Sequence, residues 1–147
     1  MIKILVQRDN FDIGVETTEI AKLGGGALAS FIGQVRADNG LHTLELEHYP
    51  AMTEKSLHAI AEHAKAHWNL HAITIIHRVG PLPVGDNIVL VITGSDHRQA
   101  AIDACSYAMD QLKTVAPFWK KEQFDNGRSE WVQERQSDLQ AAKNWDD

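Results

Sequence analysis

The chain has 147 residues, 44% hydrophobic and 23% charged, the proportions of a soluble globular domain able to bury a core. Its net charge of -6 argues against general binding to nucleic acid or an anionic membrane surface, so any basic site must be local. The one cysteine, Cys105, permits no internal disulfide and fits a reducing cytoplasm, and the longest apolar runs, such as Ile88 to Ile92, are too short to cross a bilayer.

Ile2 to Gln7 reads as a first strand, because no basic start, long apolar region and small-residue cleavage site mark a secretory signal there. Val15 to Leu23 is expected to be a short helix, and Gly24-Gly25-Gly26 a joint into a strand from Ala27 to Arg36. Ala37-Asp38-Asn39-Gly40 has turn chemistry and leads into a returning strand, Leu41 to Tyr49, where Leu44, Leu46 and His48 alternate with Glu45, Glu47 and Tyr49. Thr53 to Trp68 is helical, with Leu57, Ile60, Ala61, Ala64 and Trp68 on one stripe. Strands from Ala72 to Val79 and from Asn87 to Thr93 flank a predicted loop holding Gly80 to Asp86.

Asp96 is placed to cap the next helix, whose apolar face carries Ala101, Ile102, Cys105, Met109 and Leu112. Lys113 closes that pattern and Pro117 prevents its continuation. A hairpin follows, Phe118 to Phe124 and Arg128 to Gln133, turned by Asp125-Asn126-Gly127, and Ser137 to Trp145 is expected to form a last short helix. The irregular mixture of helices and hairpins predicts a single α+β domain over residues 1–147 with two main amphipathic helices. Strand order does not follow from these patterns.

Lysine is a compact cation whose pKa falls on desolvation, suited to holding an anion, carrying a proton or acting as an amine nucleophile. Lys113 and Lys120 flank the Thr114-Val115-Ala116-Pro117-Phe118-Trp119 hinge. On that segment alone, a helix cap with snorkelled lysine stems is the commoner outcome. Arg36 at a strand end, and His97 and Arg98 at a helix N-terminus, join the lysines as element-end cations suited to phosphate. His63 and His67 share a helix face, but no third zinc ligand accompanies them and their spacing is not that of a metalloprotease. Cys105 lies on the apolar stripe, which favours an inert packed thiol over a nucleophile. Gly24-Gly25-Gly26 lacks the ending of a phosphate loop and the spacing of a dinucleotide fingerprint.

Five blocks carry a family resemblance. They are Phe31-x-Gly33-x-Val35-Arg36, Leu44-Glu45-x-Glu47-His48-Tyr49-Pro50-x-Met52-Thr53-Glu54-Lys55 and Ile76-His77-Arg78-Val79-Gly80, followed by Asp96-His97-Arg98 and Leu112-Lys113-Thr114-x-Ala116-Pro117-Phe118-Trp119-Lys120-Lys121-Glu122. In this order they resemble the large, catalytic subunit of molybdopterin synthase, from the first glycine joint to Trp145.

The resemblance implies an α/β-hammerhead fold and a homodimer within a heterotetramer that binds two copies of a small ubiquitin-like sulfur carrier. The carrier's C-terminal Gly-Gly thiocarboxylate gives up sulfur, and two transfers convert cyclic pyranopterin monophosphate into the dithiolene of molybdopterin. It makes Lys113 and Lys120 the catalytic lysines of a cytoplasmic sulfurtransferase and lines the substrate pocket with Gln34, Val35, Arg36, His97, Arg98, Lys121 and Glu122. Arg135 matches a family arginine near the same pocket, whereas Gln34 stands where the family carries lysine. No metal or cofactor is implied. The competing reading is a non-enzymatic binding module or sensor for a phosphorylated pterin-like ligand.

Overall fold

Seven consecutive buried residues, Ala72–Arg78, run through the interior of the protein, and the other elements are arranged around them. The computed structural model describes residues 1–37, 40–114, 116–131 and 136–145. Its first half comprises β1 (Ile2–Gln7), α1 (Ile13–Ala21), β2 (Ala27–Gln34), β3 (Leu41–His48) and α2 (Pro50–Trp68). The second half comprises β4 (Ala72–Arg78), β5 (Gly80–Pro83), β6 (Asn87–Ser95), α3 (Arg98–Leu112), β7 (Phe118–Phe124), β8 (Ser129–Trp131) and α4 (Gln136–Lys143).

Two four-stranded sheets result, ordered β1-β4-β6-β2 and β5-β3-β7-β8. In the first, β1 runs parallel to β4 while β4–β6 and β6–β2 are antiparallel. Strands β4 and β6 are interior, which explains why apolar residues dominate consecutive positions in both: both faces are covered. One face packs Ile73, Ile75, Val89 and Val91 against Leu57, Ala61 and Ala64 of α2 and Ala104, Cys105 and Ala108 of α3. On the other face Ile76, Leu90 and Ile92 meet Ile20 of α1. Each such fully buried aliphatic side chain contributes about 1.5–3 kcal/mol relative to exposure, so this sheet dominates the core.

The chain passes from one sheet to the other at Val79–Gly80, directly after β4. Gly80 has φ 89°, and a Cβ there would press on the Arg8 guanidinium, so the corner needs glycine. The segment expected as a loop then adds to β3 as the short edge strand β5, with Leu44 opposite Leu82. Pro81 and Pro83 are compatible with this because an edge strand has one side free of ladder bonds. Gly25 is more than a joint: a Cβ on it would collide with the His71 ring.

The register of the first sheet defines two ends. Ala27 of β2 lies opposite Ser95, and Gln34 lies opposite Asn87. Helix α3 returns from the Ser95 end: Thr93 Oγ1 donates to Ala101 O at 2.6 Å, and the Cys105 thiol faces Val91 O at 4.0 Å one turn later. Lys113 therefore arrives at the Asn87 end, about 20 Å along the helix from Arg98.

Helix α3 differs from expectation at two positions. Its N-cap is His97, without a side-chain cap, because the Asp96 carboxylate instead accepts from His71 Nε2 at 2.6 Å. Ile102 is exposed, and the buried face runs instead through Ala101, Ala104, Cys105, Ala108, Met109 and Leu112.

Candidate functional site

Lys113 is the C-cap of α3, with φ -73° and ψ -18°, and its N–H donates to Met109 O at 3.2 Å. Pro117 lacks an N–H and rules out further helix, so the chain turns toward β7. Among the described residues, Phe118 N–H donates to Ala116 O at 2.9 Å and Thr53 Oγ1 of α2 donates to Pro117 O at 3.1 Å, and both bonds hold the turn. Val115 lies outside the described residues.

In β7 side chains alternate between faces, so Phe118, Lys120 and Glu122 share one side and Trp119 and Lys121 the other. Lys120 lies opposite Leu46 and Glu122 opposite Leu44, and both leucines are buried, so this is the inward side. Trp119 faces outward beside Tyr49, ring centroids 4.7 Å apart, and the Lys121 ammonium lies 5.7 Å from the Trp131 ring.

Beneath the inward side lies His77, at the end of β4. Its ring stacks on Phe118 with centroids 3.8 Å apart and planes 17° from parallel. Because the partner of Nδ1 is a carbonyl, Arg78 O at 2.8 Å, Nδ1 carries the proton and Nε2 is bare. Burial pushes the His77 pKa down to about 3, and the positive charges of Lys120, His48 and Lys113 push in the same direction against the bond to Arg78 O. Both lysines thus act electrostatically on one buried ring. The hinge leaves two cations, separated by six residues, within electrostatic reach of the same ring.

The remaining expected residues fall into groups. Gln34 and Arg36 lie at the same end of the first sheet as Lys113, Arg36 being exposed and Gln34 donating to Asn87 Oδ1 at 3.0 Å. Val35 is buried with Leu44, Leu46 and Leu82, and its backbone pairs with Asp86 O and Gly85 N–H, both at 2.9 Å. His97 and Arg98 are exposed at the opposite end, so one protomer does not bring them to the lysines. Their loop is tied down by the His71–Asp96 bond, which also holds the Asp96 carboxyl below the usual carboxylate range. Arg135 lies outside the described residues.

An open groove of about 420 Å³ runs between β2 and α3 and ends at Lys113. Ala29, Phe31, Ile102, Cys105 and Met109 make it largely apolar. The Cys105 thiol is raised to about 11 by burial, which keeps it protonated and inert at neutral pH. His63 and His67 stack on each other at 5.7 Å, and His63 also packs beside Tyr107. Among the described residues no three His, Cys, Asp or Glu side chains are grouped to hold a metal.

Sequence reasoning passed over His77 and Thr53. The available signal was a histidine near the end of a largely apolar strand, a placement that requires a specific partner for its ring nitrogens.

A two-sheet α+β domain with a lysine on either side of its helix-to-strand hinge is the class that this fold defines. The family model described as MoaE protein matches residues 6–115. The molybdopterin synthase catalytic subunit of Vibrio cholerae is 46% identical over 151 residues, covering 98% of this chain and 98% of that protein. That of Escherichia coli is 46% identical over 147 residues, covering 97% of each. The solved structure of the molybdopterin biosynthesis MoaE protein from Burkholderia ambifaria superposes with a TM-score of 0.86 at 43% identity, covering 100% of this chain and 99% of that one. The chain belongs to the MoaE family.

Proposed function

We propose that this chain is the catalytic subunit of a molybdopterin synthase, a sulfurtransferase of molybdenum-cofactor biosynthesis. The observation that carries the residue assignment is that Lys113 and Lys120, at the two ends of the hinge, both lie within electrostatic reach of the buried His77 ring. Two ammonium groups there suit two anions in turn: the thiocarboxylate of a small carrier protein and the phosphate of cyclic pyranopterin monophosphate. Lys113 and Lys120 pair with the thiocarboxylate and move protons as sulfur passes to the pterin. Arg36, from the same end of the molecule, binds phosphate as a guanidinium fork, with Glu122 on the inward face of β7 beside Lys120.

His97 and Arg98 fit the same site if they come from a second copy. They stand about 20 Å along α3 from Lys113, too far to reach it within one protomer. A twofold dimer can lay the Ser95 end of one copy against the Asn87 end of its partner, since a twofold contact pairs each patch with its counterpart reciprocally. The homodimer then completes two equivalent sites, each served by one carrier whose flexible Gly-Gly tail reaches the lysines.

No helix among the described residues is long and apolar enough to cross a membrane, and we place the reaction in the cytoplasm. The sensor alternative is disfavoured, because relatives matching nearly the whole chain are named as catalytic subunits. The test is to supply purified protein with the pterin substrate and the carrier in carboxylate and thiocarboxylate forms. Dithiolene forms only with the thiocarboxylate. Tight pterin binding without turnover under either condition would establish the sensor instead.

A further inference from the structure

The buried histidine that stacks on the first residue of β7 has no place in the roles assigned so far. His77 is on the helix-facing side of β4, in line with Ile73 and Ile75, and is the one ring on that row. It reaches across the junction of the two sheets to stack on Phe118, the first residue of β7. Phe118 and Lys120 are two residues apart on the same face, so whatever fixes the height and tilt of Phe118 fixes the root of the Lys120 side chain. Neither the ladder nor the hinge does this alone, since Phe118 lies at the end of its pairing with β3, opposite His48.

We propose that His77 is a positioning residue for sulfur transfer, which by stacking on Phe118 sets the start of β7 and so the placement of Lys120 relative to Lys113. Two constraints lock its ring. The Nδ1–H bond to Arg78 O fixes its rotation, and the 3.8 Å stack transmits that plane to Phe118. Thr53 holds the same turn from the other side through Pro117 O, so the hinge between the lysines is clamped by β4 and by α2. Burial keeps the ring uncharged at working pH, so it adds no further positive charge near the two lysines. A flat, neutral ring with one anchoring N–H meets all three needs. An aliphatic residue fills the volume without presenting a stacking plane.

This proposal rests on the assignment of Lys120 to catalysis, and the experiment separates the two. His77→Phe retains a stacking ring, whereas His77→Leu and His77→Met occupy space without one. In the reconstituted sulfur-transfer assay, normalised to folded protein by circular dichroism, His77→Phe should keep kcat within about three-fold of wild type. His77→Leu should lose kcat by about ten-fold or more while KM for the pterin stays within about three-fold, because binding groups are untouched and only alignment is lost. Should His77→Leu fail to fold, His77→Met supplies the same comparison. Equal kcat for the stacked and unstacked variants, whether both high or both low, overturns the proposal. Lys120→Ala is measured alongside. If it retains wild-type kcat, the lysine assignment fails. If it is inactive while every His77 variant turns over normally, only the positioning role fails.

Discussion

His77 and Phe118 stack at 3.8 Å across the junction of the two sheets, which couples the most deeply buried strand of the core to the strand that carries Lys120. Core and site are therefore not separate regions of this protein. A change that loosens the end of β4 is transmitted to the lysine pair.

Acid should expose the energetic consequence of burying this ring. An unfolded histidine binds a proton near pH 6.5, whereas the native ring does so only at about 3. Between those values the unfolded state holds the extra proton, so stability falls as pH falls. The loss attributable to His77 should reach about 2 kcal/mol at pH 5, and His77→Phe should lack it. Urea denaturation of both proteins at pH 7.5 and pH 5 measures the difference. An identical pH dependence would contradict a neutral, buried His77.

Each lysine should be needed separately. Lys113→Ala and Lys120→Ala should each lower dithiolene formation by about a hundred-fold or more, with smaller effects on substrate KM, because charge stabilisation during transfer acts mainly on turnover. Lys113 is exposed, while the core face of α3 is carried by other residues, so that variant should keep its thermal midpoint. Activity within a few-fold of wild type in either variant would remove that lysine from the mechanism.

Mixed dimers provide the test for a shared site. Arg98→Ala and Lys113→Ala should each be nearly inactive alone. After mixing and subunit exchange, half of the dimers are hybrids, and one of the two sites in each hybrid carries neither lesion. About a quarter of wild-type activity should therefore return for a twofold assembly. No recovery, with exchange verified by mass spectrometry, would place His97 and Arg98 outside the lysine site.

Cys105→Ala should retain sulfur transfer. The thiol is buried against Val91 and held protonated, so its removal costs packing, about 1 kcal/mol, rather than chemistry. A folded variant without turnover would mean that sulfur passes through this chain.

The legibility of the site followed the kind of signal each residue carried. Lys113 and Lys120 stood out because Pro117 breaks a helical pattern between them, a local steric effect. The edge strand at Gly80 to Pro83 was hidden because its prolines and glycine carry turn chemistry, and only the open edge of β3 makes it a strand. Asp96 read as a helix cap because its position is right for one. Its carboxylate instead binds His71, which is twenty-five residues away in sequence.

By itself the sequence determined the α+β class, the placement of the main helices and strands, the family blocks and the lysine pair. These depend on side-chain periodicity, backbone restrictions and short motifs, all of which act over a few residues. Tertiary structure alone decided that His77 stacks on Phe118 within electrostatic reach of both lysines, that Lys121 faces away from Lys120, and that His97 and Arg98 occupy the far end of the protomer. Those relations depend on sheet order and on the direction in which α3 returns. Both are set by which apolar faces bury one another across long stretches of chain, and no local pattern encodes that choice.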